Sequence, residues 1–190
     1  LGQSHYTYLF GTDGIPLDDL MIYRTGETDY LVVVNASNND KNWAWLNAVL
    51  KGEVSIDSDN PARRVSSAGV ELRDLRAESS GADQRVDIAL QGPNSLDILQ
   101  KMAGDAGEKA RIKALTWAGV THATLDGLNL IISRTGYTGE RTAFELFVHP
   151  DQAADLFRRL TELGAVPCGL ASRDSLRTEA GLPLYGHELA

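Results

Sequence analysis

Residues 134–140, Arg-Thr-Gly-Tyr-Thr-Gly-Glu, place two glycines, an aromatic ring and a carboxylate directly after an apolar stretch. Gly136 and Gly139 can adopt a positive φ and allow another body to approach the backbone closely. Tyr137 offers a flat ring face, and the Glu140 carboxylate can accept two parallel hydrogen bonds from a planar donor pair. These residue types suit recognition of a flat nitrogen heterocycle. A common glycine turn with a surface glutamate is the alternative interpretation.

A second candidate for chemistry is the adjacent carboxylate pair Asp18 and Asp19. Neighbouring residues of a strand point to opposite faces of the sheet, so one of the two can face a ligand. A carboxylate in a dry cleft stabilises a developing positive charge and can transfer a proton. A solvated hairpin end is the commoner fate of such a pair, and the residues alone favour that alternative.

Composition and charge narrow the class of protein. The chain has 190 residues, 43% hydrophobic and 23% charged, which is ordinary for a globular protein. The net charge of −8 disfavours non-specific binding to nucleic acid and docking on anionic lipid. No apolar run approaches the roughly 20 residues that span a bilayer. We therefore expect no nucleic-acid partner and no membrane segment.

Cysteine and histidine usage gives two further expectations. The single cysteine, Cys168, excludes an internal disulfide and fits a reducing compartment, so we expect a cytoplasmic protein. None of the four histidines pairs with a cysteine or another histidine at metal-ligand spacing, so we predict no metal site.

The secondary-structure elements that must position the carboxylate pair and the glycine-rich segment begin with a hairpin. Apolar stretches at 6–10 and 20–24 flank a glycine-containing turn, and 30–34 is predicted to be a buried strand. The helix that follows should place Trp43, Leu46 and Leu50 on one face.

The rest of the chain mixes hairpins with strand–helix–strand units. Strands are predicted at 70–75, half-exposed, and at 86–90, before a helix that includes Leu96 and Leu99. A second hairpin is predicted from 120–125 and 128–133, followed by a strand at 144–148. Two helices are predicted at 151–163 and 172–180. The pattern predicts an α+β fold with mostly antiparallel sheets and helices packed on one face. We expect one domain over 1–190, made of two α+β halves with a boundary near 52–85.

Taken together, several segments resemble the folate-binding domain of the aminomethyltransferase family, the T-protein of the glycine cleavage system. The segments most specific to the family are 134–140 and 169–185. Four further segments are also typical of it: 6–7, 14–20, 31–36 and 90–93. The family protein has a further N-terminal segment and a C-terminal barrel-like domain, so we expect this chain to be a fragment. Arg141-Thr-Ala143 replaces an acidic residue and a glycine of the family pattern, which could alter the rim of the pocket.

The resemblance implies a one-carbon transfer. In the family, an aminomethyl group on a lipoylated carrier protein is the donor and tetrahydrofolate is the acceptor. Its N5 attacks the methylene carbon, ammonia leaves, and 5,10-methylenetetrahydrofolate forms. The implied cofactor is therefore tetrahydrofolate, and the implied partner is the lipoylated carrier protein of the glycine cleavage system.

The resemblance also assigns site residues. It implies that Asp19 is the catalytic carboxylate and that Glu140 binds the pterin edge. It implies further cofactor-binding roles for Tyr6, Asn35, Tyr137 and Arg173. Tyr6 and Tyr137 could instead be structural aromatics, Asn35 could instead fix the following turn, and Arg173 could instead pair with Asp174 or Glu179. Arg177 is expected to be structural.

Two other functions compete with aminomethyl transfer. A tetrahydrofolate-dependent demethylase could use the same pterin-binding residues on a different donor. A non-catalytic folate-binding module is the alternative from another class, as in iron–sulfur cluster assembly relatives of the family. Those relatives carry a cysteine just before the aromatic of the glycine motif, and Gly136 at that position argues against them.

Overall fold

The computed structural model describes residues 1–65 and 68–189. A three-stranded sheet contains β1 (Ser4–Phe10), β2 (Pro16–Arg24) and β3 (Tyr30–Val34) in that order, followed by α1 (Asn39–Leu50). A four-stranded sheet has the order β4 (Val86–Gln91), β7 (Ala143–Val148), β6 (Leu128–Ser133), β5 (Val120–Leu125). The other helices are α2 (Ser95–Met102), α3 (Ala106–Ala114), α4 (Pro150–Glu162) and α5 (Leu170–Glu179).

The larger core lies on one face of the four-stranded sheet. Alternate residues of its strands, including Leu90, Ile132 and Leu146, point to this face and are covered by α2, α3 and α4. These helices bury apolar residues one or two turns apart, as an amphipathic helix must. The buried helix residues are Ile98, Leu99, Met102, Ile112, Leu156 and Leu160.

A smaller core joins the two sheets. The opposite face of the four-stranded sheet contributes Val120, Ile131 and Phe147, and these pack against Tyr23 of β2. The rings of Tyr23 and Phe147 meet edge to face, with centroids 5.4 Å apart. The two sheets therefore face each other across this contact.

The predicted fold class is confirmed. Every pairing between the named strands is antiparallel, and the helices of the larger core cover one face. Both predicted hairpins are present, the second with the predicted bounds. The division into two halves near 52–85 stays a prediction. No helix within the described residues is long and apolar enough to cross a membrane.

Two strand predictions were wrong. Segment 70–75 forms no strand in the described part of the chain, where Val70 is 58% exposed and Leu72 is only half-buried. The strand Tyr30–Val34 exists but is not buried, since Tyr30 is 57% and Val32 38% exposed. An edge strand with one covered face leaves its alternate residues in solvent.

Candidate active site

Strand β2 sends Asp18 and Asp19 into different surroundings. Asp18 is fully buried, and its carboxylate accepts hydrogen bonds from the side-chain amides of Asn35 (2.8 Å), Asn38 (3.0 Å) and Asn42. Asn38 lies in the short 3-10 turn that precedes α1, and Asn42 lies in the first turn of α1. The interpretation of Asp18 as a solvated residue at a hairpin end is therefore wrong, and the Asp18 carboxylate has a structural role.

Asp19 is the member of the pair that stays accessible. Its carboxylate accepts the Tyr6 hydroxyl at 2.9 Å and the Asn35 amide at 2.5 Å, so one asparagine holds both aspartates. The β1–β2 register pairs Tyr8 with Asp19, which puts Tyr6, Tyr8 and Asp19 on one sheet face. Burial, and then hydrogen bonding to Tyr8 and Asp19, raises the pKa of Tyr6, so its hydroxyl stays protonated and donates.

The glycine turn is built by close approach within the chain. Gly139 has φ +78°, and a side chain there would also meet Cβ of Ala180, just after α5, at 2.6 Å. Gly136 does not have a positive φ, so that part of its expected role was wrong. A Cβ on Gly136 would lie 2.6 Å from Cβ of Ala143 and 2.8 Å from Oε1 of Gln91. Both glycines let protein segments, namely the end of β4 and the end of α5, pack on the turn.

Tyr137 and Arg173 contact each other. The Arg173 guanidinium carbon lies 4.5 Å from the Tyr137 ring centroid, in cation–π geometry. The Tyr137 backbone N–H donates to Gln91, and its hydroxyl donates to the carbonyl of Pro183 at 2.5 Å. The proposed pairing of Arg173 with Asp174 or Glu179 is not among the ion pairs of the described residues.

Arg177 has the structural role that the sequence indicated. It is 5% exposed and forms ion pairs with Asp174 at 2.8 Å and Glu188 at 2.7 Å. Glu188 also accepts the backbone N–H of Leu184, so this arginine ties the segment after α5 to the helix.

Glu140 lines a cavity of about 650 Å³. Its Oε1 atom accepts the backbone N–H of Thr142 at 2.9 Å, which fixes the carboxylate within its turn. Trp117, 54% exposed, supplies an aromatic surface in the same cavity, and Arg141 and Arg134 are also present there. Sequence reasoning did not single out Trp117, although an exposed tryptophan is an unusual surface residue.

The six predicted site residues thus fall into three groups. Tyr6, Asp19 and Asn35 form one hydrogen-bonded group, Tyr137 stacks under Arg173, and Glu140 lies in the cavity. Burial raises the pKa of Tyr137; the charges of Arg177 and Arg173 oppose this shift, and the negative charge of Asp19 adds to it. Within the described residues, Asp19 does not itself line the cavity that Glu140 lines.

Sequence reasoning missed a further polar group beside these. Glu145 of β7 accepts hydrogen bonds from the hydroxyls of Tyr23, at 2.6 Å, and Thr135. The strand period of two would have indicated Tyr23, because it is four residues beyond Asp19 and on the same face. Glu145 was detectable as the polar residue that interrupts the apolar strand Ala143–Val148.

Asp87 lies on the same sheet face as Glu145. The β4–β7 register places it opposite Phe147, two register pairs along from the pair of Ala89 with Glu145. More than a third of its surface reaches solvent, although the surrounding protein still desolvates the carboxyl group. This desolvation, and then the charge of Glu145, raises the pKa of Asp87 to about 8, although Arg173 opposes the shift.

The raised pKa of Asp87 predicts a pH-dependent stability. Between the ordinary carboxyl pKa and about 8, the folded state binds more protons at Asp87 than the unfolded state, so stability falls as pH rises. We expect Asp87→Asn to raise the melting temperature relative to wild type more at pH 8 than at pH 5. Thermal unfolding at both pH values measures this, with Asp59→Asn as the exposed-carboxylate control. A difference that is the same at both pH values contradicts the prediction.

Within the described residues, no group of three or more His, Cys, Asp or Glu side chains is arranged to hold a metal ion.

Comparison with known proteins decides the family. The family model described as the GCVT N-terminal domain matches residues 1–190. The chain belongs to this family. The GCVT N-terminal domain is matched here over the whole length, and all six predicted site residues lie in the segments that carried the resemblance.

Relatives of this GCVT domain agree with that assignment. The chain is 36% identical to an aminomethyltransferase of Exiguobacterium sibiricum, covering 100% of this chain and 45% of the relative. It is 37% identical to an aminomethyltransferase of Bacillus subtilis, covering 99% of this chain and 46% of the relative. The chain thus spans about half the length of the curated relatives that it matches.

A solved structure has the same fold. The glycine cleavage system aminomethyltransferase T from Bartonella henselae superimposes with a TM-score of 0.69 at 30% identity, covering 98% of this chain and 43% of that chain.

Proposed function

We propose that this chain is the tetrahydrofolate-binding and catalytic part of an aminomethyltransferase of the glycine cleavage system. The observation that carries the proposal is the Asp19 carboxylate, held by Tyr6 and Asn35 and left accessible while its neighbour Asp18 is buried. Family membership and the aminomethyltransferase relatives supply the reaction class.

The residues present fit a reduced folate. A cavity of about 650 Å³ lies within the range of about 300–1,000 Å³ that is typical of small-molecule sites. Glu140 holds its Oε1 atom against Thr142, which leaves the other carboxylate oxygen available to planar N–H donors of a pterin. Trp117 adds a flat aromatic surface to this cavity, as a ring system requires.

Bound tetrahydrofolate supplies the nucleophilic nitrogen that receives the one-carbon unit. Asp19 contributes a fixed negative charge toward the positive charge that develops during the transfer, and Tyr6 and Asn35 keep that carboxylate from reorganising. Arg173, above the Tyr137 ring, restrains the face of the turn next to the site. Tyr6, Asn35, Tyr137 and Arg173 are therefore proposed as binding and orienting residues.

The donor, in this proposal, is an aminomethyl group on the lipoylated carrier protein. The net charge of −8 gives no basis for a nucleic-acid partner, and a carrier-borne arm can reach an accessible carboxylate such as Asp19. A cytoplasmic location, where the single exposed cysteine, Cys168, would stay reduced, is part of the same proposal.

The test of folate binding is the change Glu140→Ala in the full-length protein. We expect the tetrahydrofolate Kd to rise about 10- to 100-fold, because a charge-assisted hydrogen bond contributes roughly 1.5–3 kcal/mol. Titration calorimetry under anaerobic conditions measures the Kd. Glu179→Ala, an exposed carboxylate on α5, is the matched control and should keep the wild-type Kd.

A Glu140→Ala protein that is folded and keeps the Kd within twofold of wild type would refute the assignment of Glu140. A wild-type full-length protein that binds no tetrahydrofolate would refute the proposed function as a whole. Turnover with the lipoylated carrier protein as donor, compared with methylated amines, separates aminomethyl transfer from demethylation.

A further inference from the structure

The cavity that Glu140 lines also contains two arginines, Arg134 and Arg141. Arg134 is half-buried and donates through Nη1 to the carbonyl oxygen of Leu115 at 2.7 Å, so the protein itself occupies part of its guanidinium. Arg141 is exposed, and its side chain takes part in no hydrogen bond or ion pair among the residues that the structure describes. Of these two described cations, Arg141 is therefore the one that is free to bind a ligand.

The backbone beside Arg141 is held in place. Thr142 donates its N–H to Oε1 of Glu140 at 2.9 Å, and its carbonyl oxygen accepts the N–H of Gly92 at 3.0 Å. Arg141 therefore extends from an ordered turn, next to the carboxylate that we assign to the pterin edge. Since both side chains line one cavity, a ligand bound to Glu140 lies within reach of the Arg141 guanidinium.

The ligand proposed for this cavity carries negative charge at one end. Tetrahydrofolate joins a neutral pterin, through an aromatic ring, to a glutamate with two carboxylates. The chain has a net charge of −8, and Glu140 adds a negative charge inside the cavity, so both disfavour a dianionic ligand. A cation in the same cavity offsets this repulsion, and Arg141 is such a cation.

The cavity offers a matching group for each part of that molecule. Glu140 can accept from the N–H donors of the pterin, and Trp117, 54% exposed, presents a flat face to the central aromatic ring. The planar guanidinium of Arg141 can donate two parallel hydrogen bonds to a carboxylate, a geometry that lysine does not match. The glutamate end is the part of the ligand that neither Glu140 nor Trp117 can recognise.

We propose that Arg141 is a specificity-determining residue that binds the glutamate carboxylates of the reduced folate. This inference rests on the proposed function. Arg141 stands where the family pattern has an acidic residue, and an acidic side chain would repel the same carboxylates. Recognition of the glutamate end by this residue is therefore a property in which the chain departs from the family pattern.

The test combines a protein variant with a ligand variant. The full-length protein and its Arg141→Gln variant are each titrated anaerobically, by calorimetry, with tetrahydrofolate and with its dimethyl ester, in which both glutamate carboxyls are uncharged. We expect Arg141→Gln to raise the tetrahydrofolate Kd about 5- to 20-fold, because solvent weakens a charge-assisted hydrogen bond at an exposed side chain. The Kd of the ester should change less than twofold. Arg63→Gln, an exposed arginine outside this cavity, is the matched control and should leave both Kd values unchanged.

Two further variants separate charge from shape, with tetrahydrofolate as the only ligand. Arg141→Lys keeps the positive charge without the planar donor pair, so its Kd should lie between those of wild type and Arg141→Gln. Arg141→Asp introduces the acidic type of the family pattern, and its Kd should exceed that of Arg141→Gln. The side chain is exposed, so we expect all of these proteins to fold.

Each contrary result has a distinct meaning. A tetrahydrofolate Kd of Arg141→Gln within twofold of wild type overturns the role of Arg141. An equal rise for tetrahydrofolate and its ester, or an Arg141→Lys protein that binds no better than Arg141→Gln, overturns recognition of the carboxylates by charge. All three results leave the proposed function standing, whereas a wild-type protein that binds no tetrahydrofolate overturns the proposed function and this inference together.

Discussion

Asp19→Asn in the full-length protein should lower kcat by a factor of about 100 to 1,000, the range typical of removing one group that stabilises charge developing in the transition state. The variant keeps the shape of the side chain and one oxygen that can accept the Tyr6 hydroxyl, and Asn35, which loses its Asp19 acceptor, still donates to Asp18. The negative charge that would stabilise developing positive charge is lost. Initial rates with the lipoylated carrier protein and tetrahydrofolate measure the effect.

Binding should change much less than the rate in this variant. Glu140, which we assign to the pterin edge, lies in the cavity apart from Asp19, so we expect the tetrahydrofolate Kd to stay within about threefold of wild type. Asp29→Asn, an exposed aspartate just before β3, is the matched control and should retain full kcat. An Asp19→Asn enzyme with an unchanged kcat would show that the catalytic assignment is wrong.

Asp18→Ala should have a large effect of a different kind, on stability. The change removes the acceptor shared by Asn35, Asn38 and Asn42, and the last of these is fully enclosed. An unsatisfied buried donor costs about 1–3 kcal/mol, so we expect a loss of about 2–4 kcal/mol in the free energy of unfolding. For a chain of this size the melting temperature should fall by roughly 4–16 °C.

Thermal unfolding of Asp18→Ala beside Asp19→Asn provides the contrast. The two aspartates are adjacent and share Asn35, but we expect Asp18→Ala to lower stability and Asp19→Asn mainly to lower the rate. A melting temperature for Asp18→Ala within about 1 °C of wild type would contradict the structural role of the Asp18 carboxylate.

Much of the local structure could be predicted from the sequence. The Asp126-Gly127 turn between two alternating stretches predicted the second hairpin, and the apolar spacing of Leu156 and Leu160 predicted α4. These features depend on contacts between residues near each other in the chain. The same reasoning failed for 70–75, since whether an alternating segment becomes a strand depends on a partner elsewhere.

The sequence by itself determined the family and the antiparallel α+β class, and it supplied the residues of the candidate site. Strand alternation also required Asp18 and Asp19 to point to opposite faces. Only the tertiary structure decided which of them is buried, because burial of Asp18 depends on the packing of α1, whose Asn42 donates a hydrogen bond to the Asp18 carboxylate.

The link between Tyr23 and Glu145 was likewise decided by the packing of one sheet on the other. These residues are 122 positions apart, and no local pattern specifies a contact across that separation. Local periodicity fixes the direction in which a side chain leaves its own strand, whereas its hydrogen-bond partner is set by how distant segments pack.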